Sequence, residues 1–183
     1  TLLILYIVYE NHTRNKELLK YAQTDALTGL YNKETTEQLT DELLSEDENK
    51  SHAFLILDVD CFKQINDIYG HAVGDIVLQK FGKLLKGTFR EGDILGRIGG
   101  DEFGVIMKNI QTKDIAMKKA GELLAKTQAY KIDELKGNNI SISIGISTAP
   151  QDGDCYMDLY KRADQALYQA KRSGKARVCN YFS

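Results

Sequence analysis

The sequence predicts an α+β domain in which helices flank a central, mostly antiparallel sheet. Three observations carry that expectation. Residues 53–60 (Ala-Phe-Leu-Ile-Leu-Asp-Val-Asp) form an apolar run of strand length that ends in carboxylates. Residues 97–107 (Arg-Ile-Gly-Gly-Asp-Glu-Phe-Gly-Val-Ile-Met) read as strand, tight turn, strand. Gly99 and Gly100 there have access to backbone angles, φ > 0 included, that a side chain forbids. Around both runs lie stretches with apolar residues at helical spacing. A hairpin in the middle of the order excludes a simple repeating βα unit and its parallel sheet.

In order, Leu2 to Tyr9 is an unbroken apolar run, far short of the ~20 residues that span a bilayer. It is followed by Arg14, Lys16 and Lys20, as on the cytoplasmic flank of a membrane helix, so residues 1–9 read as the tail of a truncated transmembrane helix. Residues 10–23 are strong helix formers and read as a connecting helix. The domain proper spans 24–183 and opens with a turn over Thr24–Asn32, rich in Asp, Thr, Gly and Asn. Lys33–Asp47 is helical, with Leu39, Leu43 and Leu44 on one face. After the 53–60 strand come a short helix over Cys61–Tyr69, a break at Gly70-His71 and a longer helix over Ala72–Phe89. The latter has Val73, Ile76, Val77, Phe81, Leu84 and Leu85 in register. Arg90–Asp93 turns the chain into a strand containing Ile94, Leu95 and Ile98, and the hairpin follows. Thr112–Ala129 is a helix, and Asn138–Thr148 a strand with isoleucines at 140, 142, 144 and 146. Asp154–Ser173 is a helix with Met157, Leu159, Tyr160, Ala163, Leu167 and Ala170 as apolar positions, and Ala176–Phe182 a last strand.

Composition narrows the function. At 183 residues, 43% hydrophobic and 27% charged, the chain can bury a sizeable core. A net charge of −2 leaves no basic footprint, which disfavours nucleic acid as a partner. Cys61, Cys155 and Cys179 are scattered and odd in number, which argues against a disulfide framework or a zinc site.

The acidic residues carry the chemistry. Strand alternation puts Asp58 and Asp60 on one side of the sheet and Val59 on the other. Carboxylates ending a buried strand are costly unless paired, protonated or bound to a cation. The adjacent Asp101 and Glu102 repel each other, a state tolerated in solvent or beside a cation. The residues alone leave both a solvated acidic turn and a metal site open.

Gly99-Gly100-Asp101-Glu102-Phe103 spells the signature of the GGDEF family, the diguanylate cyclases, and the chain resembles that family from about Thr24 to Tyr181. The other landmarks stand in order: the Thr24–Asn32 turn, Asp58-Val59-Asp60-Cys61-Phe62-Lys63, Ile65-Asn66-Asp67, Gly70-His71, Gly74-Asp75, Ser143-Ile144-Gly145 and the run Ala163–Lys171. The resemblance implies a fold like the palm domain of polymerases and nucleotidyl cyclases. It implies condensation of two GTP into cyclic di-GMP and two pyrophosphates, with Mg²⁺ or Mn²⁺, two per active site, as cofactor. One domain holds one GTP, so the implied catalyst is a homodimer with its active site across the two-fold axis.

Carried over residue by residue, the resemblance makes Asp58, the Val59 carbonyl and Asp101 metal ligands, and Asp101, Glu102 and Lys63 the catalytic group. Cys61, Phe62 and Lys63 would hold phosphates at a helix start, with Lys171 and Lys175 as side-chain contacts. Asn66, Asp75 and His71 would take guanine. Arg90, Asp93 and Arg97 would form an inhibitory site for the product, cyclic di-GMP. Two positions depart from the family pattern. Gly174-Lys175-Ala176 stands where Gly-Arg-Asn is usual, and Lys33 replaces a common arginine, each exchanging a bidentate fork for a point charge. The expected setting is the cytoplasmic side of a bacterial membrane, below an N-terminal sensor domain, with the membrane reached only through the N-terminal segment. A module that binds GTP or cyclic di-GMP for signalling without turnover is the alternative; a different nucleotidyl cyclase or a polymerase is the weaker third.

Overall fold

The computed structural model describes residues 22–46 and 50–181. The apolar run Leu2 to Tyr9 and most of the 10–23 helix lie outside the described residues, and Ala22 and Gln23 are helical. Among the described residues no helix is long and apolar enough to cross a membrane.

The elements are α1 (Lys33–Glu46), β1 (His52–Val59), α2 (Phe62–Tyr69), α3 (His71–Lys86), β2 (Ile94–Arg97), β3 (Glu102–Met107), α4 (Lys113–Ala129), a 3-10 turn (Asp133–Leu135), β4 (Ile142–Ala149), α5 (Tyr156–Arg172) and β5 (Val178–Asn180). The five strands form one sheet in the order β2-β3-β1-β4-β5. Three pairings are antiparallel and β4–β5 is parallel, so the sheet is mixed and mostly antiparallel, as the central hairpin implied.

Every residue of β1 is buried, because both faces of the sheet are covered. Ala53, Leu55, Leu57 and Val59 join Phe103, Val105 and the isoleucines of β4 beneath α3 and α4. Phe54 and Ile56 point the other way, into a second core with Leu43 and Leu44 of α1 and Tyr156, Leu159, Ala163 and Leu167 of α5. The period-2 alternation of strand side chains therefore assigns Asp58 to the α5 face and Val59 to the α3 face. On the first face Phe81 meets Phe103 edge-on at 4.9 Å between centroids.

Between its isoleucines β4 carries Ser143, Gly145 and Ser147, and these small residues let α5 lie close on the sheet. A Cβ added at Gly145 would stand 2.1 Å from the Ala163 carbonyl oxygen and 2.4 Å from the Leu167 nitrogen, both backbone atoms that cannot swing away. Ser147 Oγ donates to the Leu159 carbonyl at 2.8 Å. The approach fixes where the C-terminal turn of α5, with Lys171, arrives.

Several sequence expectations shift. β4 begins at Ile142, not Asn138; the Ser141 carbonyl accepts from the Asp60 N–H at 2.9 Å at that end of the strand. α3 stops at Lys86, where Gly87 leads into a turn closed by Thr88 and Phe89 donating to the Leu85 carbonyl. Met157 is not a core position: it is 48% exposed, one residue into α5. Gly99 and Gly100 do not take positive φ; those glycines are 29, 70, 137, 153 and 174. Gly99 is instead a place without room, since a Cβ there would meet the Glu102 carboxylate at 2.8 Å.

Because the clash at Gly145 is with helix backbone, Gly145→Ala is expected to destabilise the domain by about 3 kcal/mol or more. Urea unfolding followed by circular dichroism measures this; a loss below about 1 kcal/mol would mean that α5 can move off β4 at little cost.

Candidate active site

The site is assembled where β1 runs out. Asp58 is in register with Glu102 of β3 on one side and Ser143 of β4 on the other. One residue on, the Val59 N–H donates to the Asp101 carbonyl at 3.2 Å, so the hairpin turn lies across the end of β1. The Ile98 and Gly99 N–H groups close the turn on the Glu102 carbonyl at 3.0 and 3.2 Å.

The turn is held from outside by Arg97. Its Nε and Nη2 donate to the Gly100 carbonyl at 3.1 and 2.7 Å, and its Nη1 reaches Asp25 Oδ2 at 3.1 Å. Asp25 in turn accepts from the Thr28 N–H and hydroxyl at 2.9 and 2.7 Å. Burial pushes the Asp25 carboxyl up, but the Thr28 hydrogen bonds and the Arg97 charge outweigh it and hold it below the usual range. Sequence reasoning took the 24–32 turn as a landmark and missed this clamp. The available signal was an Asp with a Thr three residues on, a spacing that lets the carboxylate cap a turn.

Lys171, in the last turn of α5, sets its ammonium 2.7 Å from Asp58 Oδ2. Burial raises the Asp58 carboxyl; the Lys171 hydrogen bond and charge oppose this, and the charges of Asp101 and Asp60 add to it, leaving it above the ordinary value. Glu102 is also raised, first by burial and then by the Asp58 charge. Asp60 plays a different part. Its carboxylate accepts from Ser141 Oγ at 2.8 Å, Ser143 Oγ at 2.7 Å and the Ala176 N–H at 3.1 Å, which ties the end of β1 to β4 and to the segment after α5.

Past Asp60 the chain takes a left-handed step at Cys61 (φ 58°) and starts α2 at Phe62. The first N–H groups of a helix lack intrahelical partners and favour anions. Lys63 is exposed there, and Lys175 donates from Nζ to Cys61 Sγ at 3.1 Å. The structure thus brings Lys171 and Lys175 to the strand end and helix start named from the sequence. On α2 and α3, Asn66 faces Gly74: a Cβ at Gly74 would lie 1.9 Å from Asn66 Oδ1. That oxygen is buried with no hydrogen-bond partner in the protein, a costly state that a donor would relieve. His71 and Asp75 are exposed on the first turns of α3, next in sequence to that contact.

Arg90 and Asp93 line a separate cavity of about 630 Å³, with Tyr31, Lys86, Glu91 and Leu95 among its walls. The Arg90 side chain is 63% exposed, while Asp93 is buried and accepts from the Arg90 and Lys108 N–H groups at 3.1 Å each. Arg97 is not among that cavity's lining residues; its guanidinium is spent on Asp25 and Gly100.

The donors at the strand end, two carboxylates and the Val59 carbonyl, are all hard oxygen, the set that suits Mg²⁺ or Mn²⁺. The buried Asp58 carboxylate already takes a cation, the Lys171 ammonium, so the seat fits positive charge. Among the described residues, three metal-ligating side chains converge within 4.8 Å at Asp154, Cys155 and Asp158, a mixed group at the start of α5 that the sequence reading did not single out. Asp58, Asp101 and Glu102 do not converge that tightly.

Comparison with known proteins places the fold in a family. The family model "Diguanylate cyclase, GGDEF domain" matches residues 22–177. Diguanylate cyclase A of Treponema denticola is 37% identical over 171 residues, covering 90% of this chain and 46% of that protein. Response regulator PleD of Caulobacter vibrioides is 36% identical over 177 residues, covering 93% of this chain and 39% of that protein. The chain thus spans about half or less of the length of these relatives. Among solved structures, the coiled coil and GGDEF domain of DgcB from Caulobacter crescentus, in complex with c-di-GMP, superposes with a TM-score of 0.87. That match covers 96% of this chain and 94% of the other at 24% identity, a likeness of fold. The GGDEF domain of TpbB from Pseudomonas aeruginosa gives 0.82 at 33% identity, covering 87% of this chain and 94% of the other. By its matched length, and by its identity to relatives along nearly the whole of its own sequence, the chain belongs to the GGDEF domain family of diguanylate cyclases.

Proposed function

We propose that this chain is an active diguanylate cyclase domain that joins two GTP into cyclic di-GMP and releases two pyrophosphates. The observation that carries the reading is the meeting of Asp58, the Asp101 turn, Glu102 and the Lys171 ammonium at the end of β1. In the reaction each 3′-hydroxyl oxygen bonds to the α-phosphorus of the other GTP. The bond from that phosphorus to the bridging oxygen of the β-phosphate breaks, pyrophosphate leaves with the electron pair, and the hydroxyl proton passes to a base. Phosphoryl transfer of this kind needs positioning and charge neutralisation above all.

The roles follow from placement. The Asp58 and Asp101 carboxylates with the Val59 carbonyl would hold Mg²⁺ or Mn²⁺, two per site, which supplies charge neutralisation and a more acidic attacking hydroxyl. Asp101, at the hairpin turn across the end of β1, is the base or base-positioning group for the hydroxyl, with Glu102, in register with Asp58, as its partner. The N–H groups at Cys61, Phe62 and Lys63 receive phosphates, and the Lys63, Lys171 and Lys175 ammoniums balance their charge. Asn66 and Asp75, beside His71, take the guanine edge, where the unpartnered Asn66 oxygen accepts from a ring N–H and an aspartate suits the two donors at N1 and N2. One domain offers one such half-site, so two copies must face each other. The cavity at Arg90 is of ligand size and binds the product, cyclic di-GMP; the Arg90 Nη2 donates to Asp93 and the Lys108 carbonyl, and the remaining donors of the exposed guanidinium meet phosphate or base oxygens. An upstream sensor and a membrane-tethered N-terminal segment would set how often two copies meet.

Incubated with GTP and Mg²⁺, the protein is expected to yield cyclic di-GMP, identified by mass, at a rate that rises more steeply than linearly with protein concentration. No product at high protein concentration would overturn the cyclase reading in favour of a binding module. Asp101→Ala is expected to keep its circular dichroism spectrum and lose roughly 10²-fold or more in rate. Arg90→Ala is expected to weaken cyclic di-GMP binding, measured by calorimetry, by roughly tenfold, as befits a charged hydrogen bond; an unchanged affinity would remove Arg90 from the product site.

A further inference from the structure

We propose that Lys171 is a built-in cation that occupies the metal seat on Asp58 until nucleotide phosphate draws it away, so that metal and nucleotide bind as a coupled pair. The inference rests on the cyclase reading in one respect, that the phosphates of GTP are the anion that draws Lys171 off.

The contact itself is close: Lys171 Nζ stands 2.7 Å from Asp58 Oδ2, and the Asp58 side chain is 11% exposed while that of Lys171 is 34% exposed. A divalent metal would seek the same carboxylate, at about 2.1 Å for Mg²⁺. Two cations on one carboxylate repel, so the ammonium weakens metal binding for as long as it stays.

The surroundings make that exchange possible and biased. α5 cannot drift, because its Ala163 and Leu167 backbone is pressed against Gly145, so any movement is in the lysine's flexible four-carbon stem. Around Asp58 lie Asp101, Asp60 and, in strand register, Glu102. Asp60 is satisfied by two serine hydroxyls and an amide. Lys175, four residues on, is held at the start of α2 by Cys61. Lys171 is therefore the ammonium in contact with Asp58, and the helix start where phosphates would sit follows Asp58 in the chain by four residues. A triphosphate offers it a stronger counter-anion than one carboxylate. Its departure bares Asp58 for a divalent ion, and by linkage each ligand then strengthens the other. Without the lysine, the acidic strand end would take up metal with no nucleotide present.

The experiment is Mn²⁺ binding followed by electron paramagnetic resonance on the full chain, without nucleotide and with a GTP analogue carrying a methylene α–β bridge. The wild type is expected to bind Mn²⁺ weakly alone and more tightly with the analogue. Lys171→Met is expected to bind Mn²⁺ about tenfold more tightly without nucleotide and to lose most of the tightening the analogue brings. Lys171→Gln should move the same way, and adding Asp58→Asn to either should abolish the gain. Equal or weaker nucleotide-free Mn²⁺ binding in both lysine variants, with circular dichroism intact, overturns the proposal. If that result comes with normal product from GTP in the wild type, the cyclase reading stands without it. If the lysine variants gain Mn²⁺ and the wild type makes no product, the masking of Asp58 stands and the cyclase reading falls.

Discussion

A negative charge at the end of a fully covered strand is the constraint on which this domain is built. β1 is buried from His52 to Val59, and its side chains supply both cores. Asp58 interrupts that pattern with a carboxylate, and a buried carboxylate without a partner costs several kcal/mol. The surrounding elements answer that cost. α5 comes close enough to bring Lys171, β4 is small-sided on that face so that α5 can come close, and Asp60 pins β1 to β4 just beyond. The same arrangement holds that charge against the Lys171 ammonium at the end of the strand.

The hairpin is positioned by a different principle. Gly99 leaves room for the Glu102 side chain, neither glycine takes an unusual backbone angle, and the turn's geometry is fixed by hydrogen bonds to backbone. The Val59 N–H holds the Asp101 carbonyl from inside, and Arg97 holds the Gly100 carbonyl from outside while leaning on Asp25. Asp25 belongs to the turn at which the described chain begins its domain, so the acidic turn is braced against the entry of the polypeptide. A guanidinium with five donors in a fixed fork suits that double duty in a way an ammonium would not.

Much of this was legible in the residues, and the gaps have physical causes. The apolar run 53–60, the central hairpin and the helical periodicities gave the order of elements and the sheet class. Strand alternation alone put Asp58 and Val59 on opposite faces. In β4 the isoleucines announced one core, while serines and a glycine between them are equally at home on a solvent face. They meet α5 instead, because a small side chain is compatible with either water or a tightly packed helix. Met157 failed for the converse reason: Tyr156 beside it takes the buried side of the helix start and Met157 faces outward. The sequence reading joined Arg97 to Arg90 and Asp93 and did not include its pairing with Asp25, 72 residues away. A contact of that range leaves no trace in local pattern. The Lys171–Asp58 pair is more distant still in sequence, and the family resemblance placed both residues at the site without indicating that they touch.

The ends of the sheet have a consequence of their own. β2 is four residues long and β5 three. The β2 flank is also occupied, since the Tyr31 N–H donates to the Leu95 carbonyl and the Arg97 N–H to the Tyr31 carbonyl. Such short, blunted margins offer little template for strand addition, the route by which β-proteins assemble without control. Were two copies to meet as the proposed reaction requires, these borders would let them part again without tearing a ladder of backbone hydrogen bonds.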